Sequence, residues 1–418
     1  MTLARNVSHT RSTESAAFTG WLSLAQLVGW GSTFYAFSML MVPVEQALGL
    51  SRSEVSWAFS GALIAEGLAA FAVGRWIDQG HARAVMSGGS VLAALSLLGL
   101  SACQTVWGWT LGWLSLGVAM AATLYTPAFA VLTLRYPQNF RRHIISLTFL
   151  GGLASTVFIP LMAWLIDAVG WRAMLWVLAG CQGLICLPVH AWVLRGIQRP
   201  PPPKAHTKAV HATGDSYRHA MRQPTFALVG VFVVLTLSTS VAVAAHLVNL
   251  LTESGLPPAW SVWLPACVGV VQVLGRSGLF FWEHRASVHS VNRWIPLLMP
   301  AGLLALLGAL AALHSAPTIA LVGTVVFVAL YGLGNGMGTI VKGTAVAQYV
   351  SQKHAASLNG VLGVPTAIGR AAAPTLLAVL WSPTRGYTLG LWALWVSSLV
   401  AWLALLAAQR LHAGENRH

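Results

Sequence analysis

The sequence predicts an all-α integral membrane protein, with twelve transmembrane helices in two pseudo-symmetric six-helix bundles. Three observations predict it. Of 418 residues, 56% are hydrophobic and 8% are charged, whereas a soluble domain carries about 25% charged residues. Apolar runs of about 20 residues recur along the chain, the length a helix needs to cross a bilayer core. Lys and Arg gather in alternate connections between those runs, the pattern of loops beside an anionic leaflet.

Residues 1–17 are polar and lack the compact apolar core and cleavage site of a signal peptide. They are expected to form a cytoplasmic tail, with the first span as an uncleaved insertion signal. The N-terminal bundle, 18–196, reads as spans near 18–46, 55–77, 84–103, 108–133, 143–168 and 172–195. Glu66 interrupts the second. Residues 197–224 form a cytoplasmic linker that opens on Pro200 to Pro203, since consecutive prolines forbid helix and favour an extended spacer. Its His206, His211 and His219 are too loosely spaced for a convincing metal set, and a solvated linker is the expectation. The C-terminal bundle, 225–410, reads as spans near 225–251, 260–281, 293–314, 317–341, 356–380 and 387–410, followed by a cytoplasmic tail, 411–418. Arg276 interrupts the second of these.

The four cysteines, Cys103, Cys181, Cys186 and Cys267, all lie in apolar runs and read as small hydrophobes. No metal or redox spacing is present, so neither metal nor cofactor is expected. The net charge of +14 does not indicate nucleic acid, which calls for a basic stripe with stacking aromatics on a wet surface. With the N-terminus inside, nineteen of the 24 Lys and Arg fall on the inner side, only Arg52, Arg172 and Arg385 fall outside, and Lys342 and Arg370 lie within spans. That asymmetry places both termini in the cytoplasm of an inner membrane. A weak repeat relates the halves. Gly74-Arg75 is matched by Gly275-Arg276, and Pro160 by Pro374. Parallel repeats with a site between them near the midplane recur among membrane carriers.

The stretch Gly74-Arg75-Trp76-Ile77-Asp78, with Arg83, Val85 and Met86 following, resembles the signature loop of the major facilitator superfamily. Gln79 replaces the usual basic residue, and Gly80 comes one position early. Gly29-Trp30-Gly31 through Tyr35-Ala36-Phe37-Ser38, with Leu48 to Ser53, resembles the branch of monocarboxylate porters and oxalate–formate exchangers. Tyr331-Gly332-Leu333-Gly334-Asn335-Gly336, with Thr339 to Thr344, is similar to a group of bacterial members of that superfamily. The Gly-Pro ending of the drug-exporter motif in helix five is not seen in Gly151 to Pro160. The resemblance implies a conformational-switch loop at Gly74, Arg75, Asp78 and Arg83, in which the Asp pairs with helix ends. It also implies basic residues in helices eight and eleven that hold a substrate carboxylate.

Ionisable groups deep in a span cost at least a few kcal/mol and are functional candidates by default. Arg370 lies about 20 Å into helix eleven, in the region where the resemblance places a carboxylate-holding cation. A guanidinium fork suits that geometry, and the alternative is a structural arginine paired with Glu66 or with helix-end carbonyls. Arg276 is either the helix-eight cation or the second copy of the loop anchor. Lys342 is either a site residue or a snorkelling anchor. Glu66 is the only acid deep in a span, a candidate for proton coupling or a permanent structural carboxylate. His246 is a candidate proton-linked gate or a hydrogen-bonded packing residue. Tyr35, Tyr125, Tyr331 and Asn335 are candidate lining residues, with packing the alternative for each tyrosine. Gly332, Gly334, Gly336 and Gly338 have spacing that permits close helix approach.

The expectation is a secondary active transporter moving a small organic solute, a carboxylate, by alternating access with proton coupling. The alternative is an exporter of a metabolite, siderophore or drug by proton antiport. No Gly-x-x-x-x-Gly-Lys-Ser/Thr run supplies nucleotide energy, and the scattered acids make no catalytic cluster, so an enzyme is not expected. The expected partners are the small-molecule substrate, protons and membrane lipid, for a monomeric protein.

Overall fold

The computed structural model describes residues 2–196, 219–282, 288–313, 315–352 and 354–415. Most of the expected linker, with His206 and His211, lies outside them. Among the described residues, ten helical runs are long and apolar enough to cross a membrane. Two of these, Arg52–Ala102 and Arg142–Val193, are 51 and 52 residues long, enough for two crossings each. The first breaks within Ile77–His81, where Gly80 takes φ 88°, and the second at Gly170, φ 82°. Only glycine enters these backbone regions at little cost, so each break turns the chain without an extended loop. Twelve crossings result.

The first crossing is α1 (Thr2–Ser32) followed by α2 (Ala36–Leu48). Because α1 begins at Thr2, the stretch expected as a tail is helical, and the apolar part of the run starts at Ala16. The interruption at 33–35 has a local cause. The hydroxyls of Ser32 and Thr33 bond back to the carbonyls of Val28 and Gly29 at 2.6 and 2.7 Å, and the Tyr35 N–H reaches five residues back to Trp30, 3.1 Å. Side chains that bond the previous turn bend helices.

The remaining helices are α3 (Arg52–Trp76), α4 (Ala82–Ala102), α5 (Val106–Thr123), α6 (Tyr125–Arg135), α7 (Phe140–Gly152), α8 (Ala154–Cys181) and α9 (Leu187–Val193). After the linker come α10 (Pro224–Glu253), α11 (Pro258–Trp282), α12 (Val288–Trp294), α13 (Leu298–Ala312), α14 (Pro317–Tyr349), α15 (Ala355–Val379) and α16 (Thr388–Glu415). The chain divides into two compact units. One is Met1–Leu50 with Gly61–Pro202, and the other is Ser51–Ser60 with Pro203–His418. The first turns of α3 therefore cluster with the C-terminal helices.

Both units are packed by one plan. In the first, α1 lies on α7 and α8, and α4 on α5. In the second, α10 lies on α15 and α16, and α13 on α14. A glycine seam repeats as well. A methyl on Gly117 of α5 would overlap the Ala62 carbonyl of α3, and one on Gly336 of α14 would overlap the Gln272 carbonyl of α11. Gly332 meets Val271 on the same seam and Gly334 meets Leu298 of α13, but Gly338 meets nothing within 4 Å. Three of the four glycines expected to admit a close neighbour therefore do so. Trp109 and Trp113 are fully buried in the first unit, and Phe327 in the second. Leu68, Phe71, Trp107 and Leu184 are more than 70% exposed, an apolar surface for lipid. Arg172, just past the Gly170 break, donates to the carbonyls of Ser101 and Cys103 at 2.9 and 3.1 Å. These are end carbonyls of α4 that the helix leaves unanswered.

Candidate functional site

Three cations converge in the C-terminal unit. Lys342 of α14 is 8% exposed, and Arg276 of α11 and Arg370 of α15 both lie within Coulombic range of it. Arg276 donates its Nε–H to the Gly336 carbonyl at 3.3 Å. The bond is possible because the glycine seam brings α11 and α14 together, so the packing that demands Gly336 also aims the guanidinium. Arg370 is half-buried and lies one turn before Pro374, which has no N–H to return to the Arg370 carbonyl. Two like charges interact at about 4 kcal/mol at 4 Å in an effective dielectric of 20.

Beside these cations, Ser240 of α10 donates to the Asn335 side-chain oxygen at 2.9 Å. Tyr331, one turn away, is 2% exposed, stacks on Phe327 and donates to the Ser240 carbonyl at 3.4 Å. It sits in the hydrophobic core with Met299 and Leu303, the packing alternative among the two readings of its sequence.

In the N-terminal unit, Glu66 is half-buried on α3, in a different unit from Arg370. Tyr35 stands at the start of α2, edge-on to Phe34, in a chain of aromatic contacts through Trp30 to Tyr125 and Phe129. Asp78 is exposed in the turn that Gly80 makes, and α4 has no side-chain hydrogen bond at its N-cap. Gly74 is half-buried, Arg75 lies over the Phe71 ring at 5.8 Å, and Arg83 is exposed.

His246 is fully buried and uses both ring nitrogens. Nε2 lies 2.9 Å from the Pro374 carbonyl, and Nδ1 lies 3.1 Å from the Tyr387 hydroxyl. Tyr387 leads to residues that sequence reasoning passed over. Arg52 makes a two-pronged ion pair with Glu253, 2.6 and 2.9 Å, and donates to Tyr387 at 3.1 Å. The signal available in the sequence was slight: Arg52 is one of only three Lys and Arg residues that the charge pattern is expected to leave on the outer side.

A family model described as the Major Facilitator Superfamily matches residues 22–374. The chain belongs to the major facilitator superfamily. This facilitator is a secondary transporter that works by alternating access, not an enzyme. No curated protein matches it in sequence. Among solved structures it is similar to a bacterial homolog of the human lysosomal transporter Spinster, with TM-score 0.72 and 16% identity, over 96% of this chain and 98% of that one. It is also similar to the nucleoside transporter NupG, with TM-score 0.68 and 14% identity, over 94% and 98% of the two chains. A third likeness is to the xylose transporter XylE from E. coli, with TM-score 0.66 and 13% identity, over 93% and 95%. At these identities the likeness is one of fold.

Proposed function

We propose that this facilitator moves a small organic anion, a carboxylate, across the inner membrane with proton coupling, as a monomer with both termini in the cytoplasm. The observation that carries the reading is the group formed by Lys342, Arg276 and Arg370. Charged side chains within membrane spans are costly and commonly mark substrate pathways. Guanidinium forks take the two oxygens of a carboxylate, and Lys342 adds a point charge. Glu66, an acid deep in α3, is the candidate carrier of the coupled proton. The loop-charge asymmetry supports the orientation.

The test is uptake into proteoliposomes of a panel of mono- and dicarboxylates, with and without a pH gradient. At least one carboxylate should accumulate, Arg370→Gln should abolish that uptake, and Glu66→Gln should uncouple it from the gradient. Transport of neutral or cationic solutes alone, unaffected by Arg370→Gln, rejects the anion reading.

A further inference from the structure

The N-terminal unit holds a cavity of about 650 Å³, a volume within the range of small-molecule sites. All of its walls belong to that unit, whereas Lys342, Arg276 and Arg370 belong to the other. Thr19 and Gly20 of α1 face Arg142, His143 and Ser146 of α7, residues spaced so that they share one side of each helix. Gly20 makes the room, since a methyl added there would meet nothing within 4 Å. The wall across from it is held in place. The Thr19 hydroxyl lies 2.7 Å from Nδ1 of His143, whose ring stacks on Tyr136 with 4.1 Å between centroids, and Tyr136 meets Phe18 edge-on. His143 is thus fixed before any ligand arrives, so binding costs little ordering there.

The lining is polar at one end and apolar at the other. Asn139 stands at the N-cap of α7 without a side-chain cap bond, so its side chain is not spent on its own helix. Arg142 follows within the first turn, where the unpaired N–H groups of a helix start also favour negative charge. No Asp or Glu is among the described residues that line the cavity. Phe149 and Leu150 line the far end, and Leu150 is eleven positions from Asn139, about 16 Å of helix. An inorganic anion would satisfy the first end and leave the second without a partner, and a hydrocarbon would leave Arg142 unanswered. We propose that this cavity binds an amphipathic organic anion, its carboxylate or phosphate head on Arg142 and Asn139 and its apolar body along Phe149 and Leu150. A guanidinium always carries its charge and takes two oxygens at once, which suits either head. Two sources share that chemistry, a soluble organic acid and an anionic lipid. The site is separate from the three cations and stands whether or not the cargo is a carboxylate.

Ser146 supplies the reporter, because it is exposed on the cavity wall. Ser146→Cys is made after Cys181 and Cys267 are replaced by serine, while Cys103 and Cys186 are buried and stay. Alkylation of the new thiol by N-ethylmaleimide is timed in phosphatidylcholine nanodiscs with octanoate or octan-1-ol added. Octanoate should protect the thiol, and octan-1-ol, the same tail without the charge, should not. Arg142→Gln should raise the octanoate concentration needed about tenfold or more, the worth of one charge-assisted hydrogen bond. Gly20→Leu fills the cavity without touching a charge and should leave octanoate without effect, so either variant suffices if the other fails to fold. Nanodiscs containing phosphatidylglycerol separate the sources: a thiol already protected there assigns the site to lipid, and octanoate protection undiminished there assigns it to a soluble acid. Equal protection by octan-1-ol, or no protection by octanoate or phosphatidylglycerol, would overturn the site. Loss of protection in Arg370→Gln with Lys342→Met would overturn it too, by tracing the effect to the three cations. Protection that persists in that variant supports the site even if no carboxylate is transported.

Discussion

Replacing Lys342 by methionine separates a site residue from a structural one, because the two roles predict opposite signs. Met fills a similar volume without charge. If Lys342 serves an anion, the empty protein carries a buried cation beside Arg276 and Arg370, and removing it relieves both desolvation and repulsion. Exchanging buried charge for well-packed apolar atoms is neutral or stabilising by about 1 to 4 kcal/mol, so Lys342→Met should unfold at the same temperature as the parent or higher. The same change removes one charge-assisted hydrogen bond to the ligand, worth about 1.5 to 3 kcal/mol. Affinity should therefore fall about tenfold to 150-fold. Both quantities come from one experiment, thermal unfolding in detergent titrated with carboxylates: a melting point at or above the parent's without ligand, and a weaker upward shift with it. A melting point several degrees lower with the ligand response intact would refute the reasoning. Lys342 would then be a structural anchor.

The remaining predictions rest on packing and backbone. Gly336→Ala should lower stability by about 1 to 3 kcal/mol, as overpacking does, because its methyl meets the Gln272 carbonyl. Gly338→Ala, with open space around it, should be neutral in the same melting assay. Gly170→Ala should cost about 1 to 3 kcal/mol, because φ 82° with ψ 161° is a region reserved for glycine. An unchanged melting point would show that the turn relaxes. Tyr331→Phe keeps the stack on Phe327 and loses only a 3.4 Å bond. Carboxylate affinity should stay within about threefold of the parent, and stability within about 1 kcal/mol. A larger loss of affinity would make Tyr331 a ligand contact.

The crossings were legible in the sequence because bilayer thickness imposes a length on every apolar run, and even Gly80 and Gly170 fall where one run ends and the next begins. The interruption at 33–35 was not, because it arises from hydroxyls bonding back to their own turn, which composition does not reveal. Lys342, Arg276 and Arg370 each stood out as charges in apolar surroundings. Their convergence depends on the glycine seam that draws α11 to α14, and Arg276 and Lys342 lie 66 positions apart in the chain. Arg52 and Glu253 are 201 positions apart and sit at helix ends, where charged residues are ordinary. Only folding brings them together, with Arg52 buried and Glu253 still exposed. Tyr331 shows the converse: a polar residue in a glycine-rich motif drew a functional reading that its burial among Met299, Leu303 and Phe327 does not favour.

The two glycine turns also bear on how the chain is made. With a five-residue turn at Ile77–His81 and the single residue Gly170 at the second break, the joined crossings have too little intervening chain to enter the bilayer independently. The expected consequence is insertion as hairpins, the second and third crossings together and the fifth and sixth together. Arg75 and Arg83, exposed on either side of the first turn, then orient two crossings at once. Neutralising both would misplace a pair of helices during biosynthesis, a fault of assembly that no assay on the surviving, correctly inserted protein would reveal.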